Sequence, residues 1–364
     1  MNIRPHLDPL PAYTPIEPFE VLSARLGRAP AQMVKLDANE NPYGPLMAVR
    51  EALGRLEFPH IYPDPESRAL RAALEKFTGV DAAHLLAGAG ADELLDLLMR
   101  VFLEPGDCIL SCPPTFGMYA FDAALNAARC VEAPRRPDFS LDLEAIRTAV
   151  ENHRPKLLFL ASPNNPDGSV IPPAVMEDIL RLPTLVVLDE AYIEFAGENL
   201  GAGLSRIHQV PMRENLVVLR TFSKWAGLAG LRVGYGAFPA WLTPTLWKAK
   251  QPYNVNVAAS VAAQVSLAHK DELAEIVELL KTERARLFAA LQEIPYLKPY
   301  PTQSNFILCR VIGKDAAQLK TRLAQEHGIF IRYFDKPGLR DHIRISVGRP
   351  QDTDRLMQAL HAQR

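Results

Sequence analysis

Between residues 67 and 250 this chain alternates two textures, and that rhythm leaves few folds open to it. Short apolar runs, "CILSC" (108–112), "KLLFLAS" (156–162), "TLVVLDEAY" (184–192), "NLVVLRTFS" (215–223) and "LRVGYGAF" (231–238), are separated by segments of helical period. The runs are too short for helices and are rich in Val, Leu and Ile, as strands buried on both faces should be. Helix candidates between and before them include "SRALRAALEKFTG", "ADELLDLLMRVFLEPG", "LDLEAIRTAVENH" and "PPAVMEDILRL". In the first, Leu70, Leu74 and Phe77 recur at helical spacing, with Ser67 placed to cap the helix and Gly79 to stop it. In the second, Asp92 and Glu93 fall in a first turn, where acidic side chains suit the helix dipole. Strands alternating with helices imply an α/β fold with a mainly parallel sheet covered on both sides.

The texture changes after "KQPYNVN" (250–256). Residues 254–292 read as one or two long helices. "SNFILCRV", "DAAQLKTRLAQEHG", "IFIRYF", "HIRISVG" and a closing helix from about 351 then describe a smaller α+β unit. The expected division is an N-terminal arm over 1–30, a large domain over 31–252 and a small C-terminal domain over 253–364. The arm is proline-rich and unperiodic, and is expected to need another surface to lie on.

Composition narrows the class. Of 364 residues 48% are hydrophobic, ample for a large core. The formal net charge of −2 and the lack of a basic stripe argue against a nucleic-acid partner. No apolar run approaches the roughly 18 residues needed to cross a bilayer, and the N-terminus has no signal-peptide core. Cys108, Cys112, Cys130 and Cys309 form no C-x-x-C pairs, so they read as free thiols in a reducing cytoplasm, with no metal site.

Polar residues gather at the ends of the strand-like runs, where open α/β sheets bind ligands. Asp189 closes "TLVVLD", "SPNNPDG" follows "KLLFLA", and "GAGADELL" opens a helix whose N–H groups can receive an anion. Singly, each has a plain reading: a helix cap, a turn, a glycine-rich helix start. Lys224 and Arg232 stand in "RTFSKWAGLAGLRVGYG" (220–236), among small and apolar residues, where an unpaired cation is costly. One ligand answers all of them: an anion for the helix start and Arg232, a carbonyl for Lys224 and a basic ring nitrogen for Asp189. Pyridoxal 5′-phosphate has all three. Its aldehyde condenses with a lysine, and an acidic partner keeps its ring protonated so that it can draw electrons from a substrate carbanion.

With these residues in order, the sequence resembles the fold-type I pyridoxal-phosphate aminotransferases, and within them the histidinol-phosphate branch. The resemblance runs from "LDANENPYGP" (36–45) to "IRISVG" (343–348) through "YPDP", "GADELL", "PTFGMY", "SPNNPDG", "DEAYIEF", "TFSKWAGLAGLRVGY", "PYNVN" and "SNFIL". It implies a seven-stranded, mainly parallel sheet sandwiched by helices, a smaller C-terminal domain, and a homodimer with shared active sites. Lys224 would be the Schiff-base lysine and proton shuttle, and Asp189 the partner of the pyridine nitrogen. Tyr192 and Asn165 would donate to the ring's phenolate oxygen, and Phe116 would stack on the ring. Ala91, Asp92, Thr221, Ser223 and Arg232 would hold the phosphate, and Tyr62 would reach the phosphate of the neighbouring subunit. Arg344 would bind the substrate carboxylate and Arg332 a substrate phosphate, with Tyr13 as a further substrate contact. The family often has Tyr at Phe116 and Thr at Asp167. The implied substrates are histidinol phosphate and glutamate or 2-oxoglutarate. An aromatic amino-acid aminotransferase, a threonine-phosphate decarboxylase and a non-catalytic ligand sensor share the fold and remain alternatives at this point.

Overall fold

The structure is a computed structural model that describes residues 3–10 and 17–363. Among these described residues, twelve strands form two sheets. The first contains β2 (Leu85–Gly88), β3 (Cys108–Ser111), β4 (Arg129–Glu132), β5 (Leu157–Ala161), β6 (Leu185–Asp189), β7 (Leu216–Thr221) and β8 (Gly234–Ala237), in the order β2-β8-β7-β6-β5-β3-β4. Only β8 runs against its neighbours. The expected seven-stranded, mainly parallel sheet is therefore the observed one.

Every residue of β5, β6 and β7 is buried, because helices cover both faces. The pleat sorts their side chains by parity. Leu157, Phe159, Val187 and Val217 pack with Leu94, Leu98 and Tyr119 on one face. Leu158, Leu160, Val186 and Val218 pack with Ile146, Val150 and Met176 on the other. The helix Arg68–Thr78 stops at Gly79 (φ +72°), whose N–H reaches back to Glu75. Its start corrects the expectation for Ser67, which sits at φ +49° and makes no side-chain cap. Asp64 does that work instead, accepting from the N–H groups of Glu66 (3.1 Å) and Arg68 (2.8 Å).

The second sheet contains β1 (Val34–Leu36), β9 (Leu297–Pro299), β10 (Phe306–Val311), β11 (Ile329–Tyr333) and β12 (His342–Ser346), in the order β1-β11-β12-β10-β9. Packing differs from the expected division at 31 and 252. β1 pairs in parallel with β11, so residues 34–36 belong to the small sheet. The helix Val257–Ala268 buries Ala259, Ala262 and Ala263 with Leu70, Leu74 and Leu85 of the large sheet's core. The long helix Lys270–Gln292 serves both cores, with Leu273, Val277 and Leu280 in the large one and Leu287 and Leu291 in the small one. Part of the expected arm also lies on its own chain: Leu22, in the helix Phe19–Leu26, packs with Met33, Ala324 and Phe330. Tyr13 lies outside the described residues.

Candidate active site

The carboxyl ends of the parallel strands converge on a cavity of about 170 Å³. Asp189, last in β6, shares the parity of Leu185 and Val187 and so faces Tyr119. Its Oδ2 accepts from the Tyr119 hydroxyl (2.8 Å) and its Oδ1 from the Ala191 N–H (2.9 Å). No cation pairs with it among the described residues. Burial raises its carboxyl to about 6, against those two donors, which act to lower it.

Lys224 follows β7 and enters the cavity beside Tyr192, its Nζ 5.8 Å from the ring centroid. Its Nζ donates to the Ala38 carbonyl (3.1 Å), and no carboxylate pairs with it among the described residues. Trp225, next in sequence, is buried against Phe77 and Phe222, which anchors the backbone that presents the lysine.

At one end of the cavity the helix Ala91–Phe102 begins at Gly90, which offers no side chain to cap it. The first N–H groups of that helix, with its positive dipole end, therefore face the cavity. Thr221 and Ser223 bond to each other there (2.9 Å). Arg232 crosses above, donating to Asp92 Oδ2 (2.8 Å) and Ser223 Oγ (3.4 Å). Gly90 is required at this point: at φ +82°, a Cβ would lie 2.6 Å from the Arg232 guanidinium. Donors converge here as in sites that hold an anion.

At its other end the cavity meets a cleft of about 660 Å³; Phe116, Asn165, Tyr192 and Lys224 line both. Arg332 on β11 and Arg344 on β12 are opposite partners in an antiparallel pair, and both line this cleft. Arg344 donates to Asn165 Oδ1 (2.5 Å) and the Asp37 carbonyl (2.9 Å), and lies over Phe306 and Phe334. Arg332 lies 5.9 Å from the Phe334 centroid. Tyr62 lines neither space; it is 79% exposed and stacked on Tyr253 (4.6 Å).

Sequence reasoning missed several residues here. Tyr119 sits within the quoted "PTFGMY", but its bond to Asp189 spans 70 residues. Arg135 and Lys336 add cations to the cleft, yet in sequence they stand in ordinary polar loops. Asn39 bonds to Tyr192 and Ser346 across 153 and 307 residues, which no local pattern encodes.

The mainly parallel sheet thus brings a lysine, a buried aspartate and an uncapped helix start together at its carboxyl end. The family described as "Aminotransferase class I and II" matches residues 31–360, and the chain belongs to it. It is 57% identical to the chloroplastic histidinol-phosphate aminotransferase of Nicotiana tabacum, over 98% of this chain and 86% of that one. It is 50% identical to the histidinol-phosphate aminotransferase of Roseiflexus castenholzii, over 98% and 97%. A crystal structure of histidinol-phosphate aminotransferase from Sinorhizobium meliloti in complex with pyridoxal-5′-phosphate superposes with a TM-score of 0.90 at 30% identity, covering 100% of this chain and 98% of that one. Within the class, the chain is a member of the histidinol-phosphate aminotransferase family.

Proposed function

We propose that this chain transfers an amino group between L-histidinol phosphate and 2-oxoglutarate, giving imidazole-acetol phosphate and glutamate, with pyridoxal 5′-phosphate as its resident cofactor. The residues fit that cofactor on the chemistry of their donors and acceptors. Asp189 is a buried carboxylate whose charge a protonated ring nitrogen would balance. The N–H groups at Ala91 and Asp92, the hydroxyls of Thr221 and Ser223, and Arg232 form a grip for its phosphate. Phe116 offers a ring face, and Tyr192 and Asn165 are the candidates to meet its phenolate oxygen. When bound, the cofactor supplies a carbonyl that takes up the amine and a protonated ring that draws off the electrons left at the substrate carbon. Lys224, where the two spaces meet, is the residue that would hold the cofactor and would carry the proton during amine exchange.

The observation that carries the substrate reading is the register of Arg332 with Arg344 beside the lysine. Arginine's planar fork pairs with carboxylate or phosphate oxygens, so one cleft can take glutamate in one half-reaction and a phosphorylated amine in the other. Arg344 binds the carboxylate of glutamate and helps with phosphate; Arg332 serves the phosphate. Tyr62, exposed with Phe58 and Ile61 beside it, supports a homodimer in which it reaches the partner's phosphate grip. Free cysteines, three of them buried, support a reducing compartment such as the cytoplasm. No helix of the described residues is long and apolar enough to cross a membrane.

The deciding experiment presents cofactor-loaded protein with single amines and reads the visible band. Histidinol phosphate and glutamate should bleach it; histidinol, phenylalanine, tyrosine and threonine phosphate should bleach it far more slowly. Equal use of histidinol and histidinol phosphate would refute the phosphate pocket.

A further inference from the structure

Asn39 is buried, at φ +55°, a left-handed conformation that asparagine adopts more readily than most residues. Its backbone N–H donates to Ser346 Oγ (2.8 Å), and the Ser346 hydroxyl returns its proton to Asn39 Oδ1 (3.0 Å). That reciprocal pair orients the amide, with Oδ1 toward Ser346 and Nδ2 toward Tyr192. Nδ2 then donates to Tyr192 Oη at 2.9 Å. An amide N–H can only donate, so the tyrosine oxygen must accept there. Its one proton is left to point elsewhere. The Tyr192 ring is held edge-on by Phe306 (5.0 Å, 88°), and Tyr192 borders the cavity at its junction with the cleft.

We infer that Asn39 is a positioning residue which, with Ser346, commits the Tyr192 hydroxyl to donate into the cofactor cavity. Ser346 lies two residues beyond Arg344 on β12, and Asn39 two beyond Asp37, whose carbonyl Arg344 grips. Asn305, just before β10, donates to the Asn39 carbonyl (3.0 Å). The small sheet thus determines the direction of a proton in a cavity built on the large one. The charged groups around that cavity are Glu40, Asp92, Asp189, Lys224 and Arg232, with Arg344 approaching through Asn165.

The inference rests on the reading of Tyr192 as donor to the cofactor's phenolate oxygen. A hydrogen bond to a charged oxygen stabilises the charge. A poorer donor leaves more negative charge available to hold the neighbouring proton, so the pH midpoint of the cofactor's visible band should rise. The test titrates that band in the loaded wild type, Tyr192→Phe, Asn39→Gly, Ser346→Ala and the double variant Asn39→Gly/Tyr192→Phe. Glycine tolerates the positive φ and removes the amide without adding charge. Asn39→Gly should move the midpoint upward, toward that of Tyr192→Phe, and Ser346→Ala should move it upward by less. The double variant should titrate like Tyr192→Phe alone. Should Asn39→Gly not fold, Ser346→Ala decides. Wild-type midpoints in Asn39→Gly and Ser346→Ala beside a shifted Tyr192→Phe would overturn the role of Asn39, as would fully additive shifts in the double variant. An unshifted Tyr192→Phe would overturn the reading of Tyr192 itself, and this inference with it.

Discussion

Burial raises the Asp189 carboxyl to about 6, above the ordinary carboxylate range, and this ties pH to stability at a single residue. Between about pH 4 and 6 the folded chain holds a proton that the unfolded chain has released, so stability is lost as pH rises through that window. The full shift corresponds to a loss on the order of 2–3 kcal/mol at neutral pH, present only without the cofactor's compensating cation. Asp189→Asn should therefore raise the thermal midpoint of the cofactor-free protein at pH 7, change it little at pH 4, and still remove most transamination. A cofactor-free variant less stable than wild type at pH 7 would show that Asp189 is held as a structural cap. Lys224→Ala belongs to the same scale. It should still bind the cofactor through the phosphate grip, seen by equilibrium dialysis, while turnover falls on the order of 10²–10⁴-fold or more. Near wild-type turnover would sink its assignment.

Among the elements, β11 and β12 matter most to substrate choice, because their pairing sets Arg332 opposite Arg344. Arg344→Ala should impair both half-reactions. Arg332→Ala should chiefly impair the one with histidinol phosphate, at a cost on the order of 1.5–3 kcal/mol in kcat/KM for a lost charge-assisted bond. Stopped-flow half-reactions with each amine separate the two, and an equal loss with glutamate in Arg332→Ala would contradict the division of labour. Behind the cavity, β6, β7 and β8 are fastened by a buried cluster. Arg220 on β7 bonds Glu190 just past β6 (3.0 Å) and Tyr235 on β8 (3.4 Å). Burial raises Glu194, 3.9 Å from Arg220, to about 8 against the lowering effect of that arginine, whose direct partner is the Glu190 carboxylate. Arg220→Met would leave that carboxylate unpaired. The expected loss is about 3–5 kcal/mol in urea unfolding. A change under about 1 kcal/mol would mean that water or a rearranged side chain takes the arginine's place.

For the whole molecule, the packing ties the two sheets together at several points. β1 leaves the small sheet for the strap 37–41, whose carbonyls receive Lys224 and Arg344 and whose Asn41 bonds the Trp225 carbonyl. The helix Lys270–Gln292 buries one end in each core. In a dimer with shared sites, Tyr62 of one subunit would complete the grip of the other. Mixing Tyr62→Ala with Lys224→Ala should then restore part of the activity, since one site of the heterodimer carries neither lesion. No recovery despite proven subunit exchange would count against shared sites.

The sequence by itself determined whatever depends on near neighbours. β5, β6 and β7 were legible because burial on both faces demands unbroken apolar runs. Asp189, Lys224 and Arg232 stood out because each puts a charge in an apolar or small-residue stretch of sequence, although Arg232 proves to be exposed and paired with Asp92. Gly79 marked a helix end through its own backbone freedom. Tertiary structure decided what depends on distant partners. β1 has three residues, and its partner β11 begins at Ile329, so neither period nor composition could assign it to the small sheet. The reversed direction of β8 follows from its hydrogen bonds to β2 and β7, which the run "GYGA" does not encode. Ser67 had the right chemistry for a cap, but it sits at a positive φ without a side-chain cap bond, and Asp64 accepts from the helix start instead. Asn39 carries no local signal of its role, because a hydrogen-bond direction belongs to the whole set of partners, here Ser346 and Tyr192, that folding brings together.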